Sequence, residues 1–545
     1  MFAFFKSKEN TGYGAGGANT RKDNMKGFTA ESGSAHTDID EHNARLRSNA
    51  RVLYQISPIV TSAINTLCTD VIGCGLKPNP NVDYEFLHIS PKAGAELNAK
   101  IKRLWKLFAS DKRECDATGL NNFYDIEDLV FSSAKQSGDC FVLLKFFQRK
   151  NSSFGLKFHV LEADRISTPV QMLTYGASST QGKNPDNNNT IYDGVEVDSN
   201  GEIKAYWISK YHPDDEAEMN QEWERVEPYD DAGRPNILHI MKSERPDQYR
   251  GVPFAAKIIE TGIGLKRYDD STQLTATIGN YLSYWIKRNS SDSDILPPDT
   301  GAPIEAKRRT DPDDILISPG CVNRLEEGEE VQAVTPPQPT TAFPAYMESQ
   351  YRIAGAATGQ GGEKLLHSYN ASYSASRATI EEAWKGALKE RASFLGDFCE
   401  WAYELFFCEC VARGYINAPG FFTNPLIRQA YLRSAWIGQS KVSLDPTKEI
   451  TSALLALPEG VKTRQQITLE LTGQDWEENI ATIKRENEML KEAGLLPEKN
   501  NGNENNGNNG GEDSNQKMIA MLQKFINLYE KEIQNEKSEK YNQEN

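Results

Sequence analysis

The sequence predicts an α+β fold that is mainly α. Three observations carry this prediction. Several stretches of ten or more residues repeat apolar side chains at helical spacing. The run Cys140 to Phe147 (CFVLLKFF) is β-rich and short enough for a buried strand. An Asn-Gly pair, Asn200-Gly201, separates two β-prone arms, a strong hairpin signal. At 545 residues the chain is long enough for roughly two to four domains.

In chain order, residues 1–39 read as a flexible arm, because residues 6–35 are rich in Gly, Ser, Asn and Lys. A helix is expected from Asp40 to Gln55, carrying Arg45, Arg47 and Arg51 around Leu46, Leu53 and Tyr54. Ser57 and Pro58 then open a second helix, whose apolar positions Ile59, Val60, Ala63, Ile64, Leu67 and Val71 keep helical period until Gly73 and Gly75. From Asn98 to Trp207 the pattern is mixed. Ile101, Leu104, Trp105 and Phe108 mark one helix, and residues 125–134 another. Strands follow at 140–147 and around Phe158 to Leu161, then a polar loop at 176–190 and the hairpin 193–207. That hairpin resembles a calcium loop only superficially, since Trp207 stands where the closing Glu would be.

The stretch ERPDQYRGVP, residues 244–253, is a sharp turn feeding a long helix expected from Pro253 to Arg288, ~50 Å at about 1.5 Å per residue. Such a rod needs a large domain or an assembly to lie against. Lys287-Arg288 would complement its C-terminal dipole. Residues 289–342 are rich in Pro and Asp, with short strands expected at 314–318 and 322–325, and read as a projecting insert. Helix resumes from Phe343 to Ala357 before Gly359, Gly361 and Gly362. A second long helix is expected from Ala375 to Arg413, closed by Gly414, with further helices up to Leu496. Residues 498–515 are nearly pure Asn, Gly and Glu and read as a disordered linker. Beyond it, Met518, Leu522, Phe525, Ile526, Tyr529 and Ile533 form the apolar stripe of a docking or self-association helix.

Composition narrows the function. With 61 Lys and Arg against 77 Asp and Glu, the net charge is −16, so the chain should not cling to nucleic acid over its whole surface. No apolar run approaches the ~20 residues of a membrane span, and Met1 to Phe5 is too short for a signal-peptide core; a soluble cytosolic protein is expected. Eight cysteines show no CxxC pair, and seven histidines are scattered, which argues against disulfides and structural zinc. Gly182-Lys183 lacks the Ser or Thr of a phosphate loop, and Gly12, Gly14 and Gly17 follow no strand, so no cofactor is expected. No nucleophile elbow appears. Two exposed charge clusters remain in the insert, Lys307-Arg308-Arg309 and Glu326-Glu327, either solvated turns or docking points.

Several collinear segments together resemble the portal proteins of tailed bacteriophages, lambda branch. They include HNARLRSNAR (42–51), LEADRI (161–166), DGVEVDSNGEIKAYW (193–207), ILHIMKSERPDQYRGVP (237–253), NASYSASRATIEEAW (370–384) and WIGQSKVSLDPTKE (436–449), within roughly residues 40–496. Gly438-Gln439 departs from the family's usual Gly-Pro, and Ser372 to Arg377 is a variant of its Tyr-Ser-Ser-x-Arg.

The resemblance implies a non-enzymatic ring, usually of twelve subunits, at one capsid vertex. It would assemble with capsid or scaffold protein, dock the terminase large subunit and then head–tail connector proteins, and pass double-stranded DNA. It also implies the domains: an α/β wing (40–250), a stem helix (251–288), a clip (289–342), a returning stem helix (343–357) and a tunnel loop (358–374). A long helix (375–414) and a helical crown (415–497) would follow, then the linker and a C-terminal helix and tail (516–545). Gly359, Gly361, Gly362, Glu363, Lys364, Ser372, Tyr373 and Ser374 would face DNA from the tunnel loop. Lys307, Arg308, Arg309, Glu326 and Glu327 would dock partners at the clip. Twelve copies at −16 each carry −192, a wall that repels DNA and lets it slide. The competing readings are another head–tail connector or capsid structural protein, and an α/β hydrolase or nuclease.

Overall fold

A computed structural model of the chain describes residues 30, 32–174, 180–213, 222–280, 283–288, 329–334, 343–368, 373–441 and 445–493. Helices α1 (Glu41–Ile56) and α2 (Pro58–Val71) open the fold, with Pro58 at the first helical position as expected. Strand β1 (Lys77–Pro80) leads to α3 (Pro91–Ser110), α4 (Lys112–Cys115) and α5 (Phe123–Ser137). Ser90 caps α3 through Ala93 N–H, and Asn122 with Asp125 forms a full capping box on α5. Gly138, at φ +94, ends α5 in a conformation open mainly to glycine.

Then follow β2 (Asp139–Phe146), β3 (Leu156–Leu161), β4 (Gln181–Lys183), β5 (Thr190–Tyr192), β6 (Val195–Val197), β7 (Ile203–Ser209), β8 (Trp223–Val226) and β9 (Ile237–Met241). They build two antiparallel sheets, in the orders β3-β2-β9 and β4-β5-β6-β7-β8. β2 is buried on both faces, which explains its unbroken apolar run. Cys140, Val142 and Leu144 point into the helical core, whereas Phe141 packs with Val195, Tyr206 and Ile208 of the second sheet. The β6–β7 hairpin forms where expected: Gly201 has φ +85, and Asp198 accepts from Asn200 N–H (2.8 Å) and Glu202 N–H (3.0 Å). Within residues 176–190, expected as a polar loop, Gln181–Lys183 forms β4 and Thr190 begins β5, and the two strands pair as a hairpin.

The expected 36-residue stem helix is shorter. A 3₁₀ turn at Phe254–Ile258 precedes α6 (Ile259–Asn280), and the next described residues form β10 (Ser283–Arg288), paired antiparallel with β11 (Glu329–Val334). The aromatic and β-branched run Tyr284-Trp285-Ile286 favours a strand. The register sets Lys287 opposite Glu330 and Arg288 opposite Glu329, so these two basic residues belong to a ladder and not to a helix C-terminus. The strands expected at 314–318 and 322–325 lie outside the described residues, as do residues 494–545 with the linker and terminal stripe.

The chain continues with α7 (Phe343–Thr358), α8 (Gly362–Leu365) and α9 (Tyr373–Phe394), then one π turn (Leu395–Cys399) and α10 (Glu400–Ala412). Helix therefore runs unbroken from Tyr373 to Ala412, and Gly414 (φ +75) follows it, close to the expected span. α10 is the centre of the core: Ala402, Tyr403, Leu405, Phe406, Phe407, Cys408 and Cys410 are all buried. Trp105 of α3 meets Phe406 edge-on at 5.0 Å, and Phe123 of α5 stacks on Phe398 at 5.7 Å. The seven cysteines among the described residues are free thiols, six of them buried.

Beyond the core lie α11 (Pro425–Leu432), β12 (Ser434–Ile437), α12 (Pro446–Ala456) and α13 (Arg464–Thr472), with β12 paired to β1. Contacts divide the chain at Trp476, inside the region expected as one crown, because α14 (Trp476–Glu492) is polar and buries no residue. Of the arm expected over 1–39, residues 1–29 and 31 lie outside the described residues, and residues 36–40 form a π-helical turn entering α1. His36 stacks on Tyr192 at 3.6 Å, and Arg245 pairs with Asp38 and donates to Gly33 O (2.9 Å).

Candidate functional site

The turn between β9 and α6 is where the sheets, α1 and the stem meet, and its residues are spent on fixing that joint. Gln248 closes the turn: its Oε1 accepts from Glu244 N–H (2.8 Å) and Arg245 N–H (3.0 Å), and its Nε2 donates to Arg250 O (2.8 Å). Arg250 is fully buried. Its guanidinium donates to Asp139 Oδ2 (2.7 Å), Ile166 O (2.9 Å) and Ala163 O (2.8 Å), and Nη1 lies 2.8 Å from Asp193 Oδ2. Gly251 follows because a Cβ there would stand 2.0 Å from Gly138 O, and Asn43 of α1 donates to Gly251 O (2.8 Å).

Arg47 extends the cluster to Asp193 (2.9 Å) and Asp164 (3.5 Å), and Arg51 pairs with Asp164. Burial resists ionisation of Asp139, but the Arg250 guanidinium together with His239 and Arg47 outweighs it and holds the carboxyl far below the usual range. Arg250 shows the mirror image: burial opposes its charge, and Asp139 with Asp193 more than restores it. His239, stacked on Phe141 at 4.2 Å, is pushed down by burial despite its neighbour Asp139. Asp164 is also near His212 and Glu162, the group among the described residues whose donor atoms converge as a metal site would need. Its charge is committed to Arg47 and Arg51, which hold its carboxyl low against burial. This geometry supports a rigid joint. Beyond the RPDQYRG wording, nothing in the sequence points to it, since the partners come from five separate elements.

The segment expected as a tunnel loop is more structured than a loop. Gly359 (φ +71) and Gly361 (φ +79) turn the chain after α7, and Gly362 opens α8. A Cβ on Gly355 of α7 would stand 2.4 Å from Gly362 N, so the turn folds tightly back on its own helix. Gln360 is buried and donates to Ala63 O (2.7 Å), and Ser62 donates to Leu365 O (2.8 Å). Lys364 pairs with Asp70, and Glu363 Oε2 is buried without a hydrogen-bond partner among the described residues. Residues 359–365 thus lie docked on α2. Ser372 is outside the described residues. Tyr373 and Ser374 open α9, because Ser372 to Arg377 contains no helix breaker before the α9 face begins. The structure therefore brings Gly359, Gly361, Gly362, Glu363 and Lys364 together, and sets Tyr373 and Ser374 in a helix. Lys307, Arg308, Arg309, Glu326 and Glu327 lie outside the described residues.

Residues 21–391 match the family described as phage portal protein, lambda family. Portal protein B of Escherichia phage lambda is 22% identical over 522 residues, covering 90% of this chain and 92% of that protein. The portal protein of Escherichia phage N15 is 21% identical over 514 residues, with the same shares. Among solved structures, chains from the virion of a native gene transfer agent particle and from the neck of that particle, computed with C12 symmetry, are each 11% identical. Each comparison covers 79% of this chain and 93% of the other, with TM-scores of 0.40 and 0.39.

Proposed function

Because this chain belongs to the lambda family of phage portal proteins, a structural and non-enzymatic family of the virion, we propose that it forms a ring, usually of twelve copies, at one capsid vertex. Double-stranded DNA passes through the ring during packaging and ejection. The insert between β10 and β11 docks the terminase large subunit and later head–tail connector proteins, and the opposite, crown end meets the capsid interior. Assembly takes place in the host cytoplasm with capsid or scaffold protein. Residues 359–365 line the passage, and Lys307-Arg308-Arg309 with Glu326-Glu327 serve the docking end.

The observation that carries this reading is the α6–α7 pair. Tyr268 stacks on Phe343 (5.6 Å) and meets Tyr346 (4.7 Å), so the two helices hold each other. Yet Leu274 (60% exposed) and Ile353 (53%) stay open to solvent, and a Cβ at Gly264 would meet nothing within 4 Å. Two helices fixed at their root with apolar residues uncovered need a further surface, and a neighbouring copy supplies one in a closed ring. Negative-stain imaging of the purified full-length protein tests this. Annular particles with a central hole are expected; a monomer at every concentration would overturn the reading.

A further inference from the structure

We propose that the outer face of α3 is a second DNA-contact site, a stripe of cations that grips duplex phosphates away from the passage. Between Pro91 and Arg113 the chain has seven basic and two acidic residues, a local excess of positive charge in a protein of net charge −16. α3 sorts its residues cleanly. At about 100° per residue, Lys92, Lys100, Arg103 and Lys106 fall within an arc of about 120°; all four are exposed, and Glu96 is the one acid that shares their arc. The opposite arc buries Gly94, Ile101, Trp105 and Phe108 in the core.

These four cations have no acidic partner among the described residues. Several surface cations elsewhere are paired, such as Lys204 with Glu202 (2.5 Å), Lys210 with Glu222 (3.2 Å) and Lys266 with Asp270 (2.7 Å). Four cations against a single acid, Glu96, along a convex helix with no aromatic platform and no cleft fit a phosphate backbone and no base reading. From Lys92 to Lys106 the stripe runs about 21 Å, the length of roughly six base pairs. Its position suits the task. The stem root packs on α1, α2 and α5, whereas Lys102 of α3 pairs with Asp475, beside the crown. In the conduit reading, on which the source of the duplex rests, the crown end faces packaged DNA. The acidic passage lets DNA slide, and this outer stripe holds it.

The test is fluorescence anisotropy of a labelled mixed-sequence duplex of about 30 base pairs with the purified full-length protein, between about 50 and 200 mM salt. Four phosphate contacts predict a slope of log affinity against log salt of about −3.6. Lys100→Glu with Arg103→Glu and Lys106→Glu should weaken binding at least about tenfold and flatten the slope to about −1. The milder Lys→Gln and Arg→Gln version should fall between. Lys204→Glu with Lys210→Glu, which alters bulk charge elsewhere, should bind as wild type does. Equal binding by wild type and the α3 variant, or no duplex binding by wild type, overturns the proposal. So does α3-dependent capture of a polyglutamate peptide in place of duplex, which would assign the stripe to an acidic polypeptide. Imaging the same preparations separates the two readings: rings without α3-dependent DNA binding sink the stripe and spare the conduit, and absent rings do the reverse.

Discussion

Arg250 Nε lies 2.7 Å from Asp139 Oδ2, and neither side chain has any exposed surface. A buried pair of this kind adds little net stability over an apolar substitute, but removing one member leaves a charge stranded. Arg250→Met should therefore cost about 3–5 kcal/mol in urea unfolding of the full chain. Arg250→Met combined with Asp139→Leu should recover part of that loss. If the double variant is no more stable than the single one, the pair is not the source of the cost.

The Lys364–Asp70 pair holds residues 359–365 against α2 with both side chains largely covered, 13% and 19% exposed. Lys364→Ala should release roughly 1 kcal/mol of local docking, and hence speed amide exchange across 359–368 about fivefold, with ring formation unchanged. Exchange identical to wild type would mean that the glycine turn and Gln360 hold the segment alone.

Leu274 and Ile353 are the uncovered apolar residues of the stem. Leu274→Asp with Ile353→Asp should abolish annular particles in negative stain and leave the thermal unfolding of the protomer within about 0.5 kcal/mol of wild type, as for other exposed positions. Rings formed normally by this variant would place the subunit contact elsewhere.

What the sequence revealed and what it hid follow one physical line. α1, α2, β2 and the β6–β7 hairpin were readable because each signal is local: apolar period, a Pro at the first turn, an Asn-Gly pair. The end of α6 was missed because Tyr284-Trp285-Ile286 continues an apolar pattern, and only pairing with Glu329–Val334, more than 40 residues on, makes it a strand. The joint was invisible for the same reason: Arg47, Asp139, Asp164, Asp193 and Arg250 are scattered through the first half of the chain. Among the tunnel residues, the glycines at 359 and 361 were sound turn signals, whereas Lys364 reads as a free cation until Asp70 comes beside it.

Glu196 shows how an Asn-rich stretch that reads as loop can be tightly ordered. Its carboxylate is fully buried and accepts from Asn184 (3.0 Å), Asn187 (2.6 Å), Asn189 (2.9 Å), Trp207 Nε1 (3.1 Å) and the Arg225 guanidinium (3.0 Å). Burial raises its pKa, but Arg225 and the three amides outweigh this and hold it at about 2, below the ordinary 4.5. A depressed carboxylate stabilises the fold above its unfolded pKa, and that contribution is lost as pH falls from about 4.5 towards 2. It is worth about 3 kcal/mol. Glu196→Gln should thus destabilise at pH 7 by about that amount and flatten the acid limb of stability against pH in urea titrations. An unchanged acid limb would remove Glu196 from the account.

Glu127 has the opposite sign. It sits fully buried in the helical core, with Leu76 N–H donating to Oε2 (2.8 Å) and Cys399 Sγ 3.4 Å from Oε1. Burial drives its pKa well above the ordinary 4.5, and these two donors only partly offset it. The native state therefore keeps this proton after the unfolded chain has released it. Stability from this group is complete below pH about 4.5 and declines as pH rises towards the raised native value, by about 1.4 kcal/mol per pH unit. Glu127→Gln keeps the shape and the acceptor for Leu76 but binds no proton. As pH rises above about 5, wild type should lose stability relative to Glu127→Gln in urea unfolding, with the gap widening until the native carboxyl itself ionises. Parallel pH dependences would show that Glu127 is ionised in the folded protein, and that the core holds a charge there.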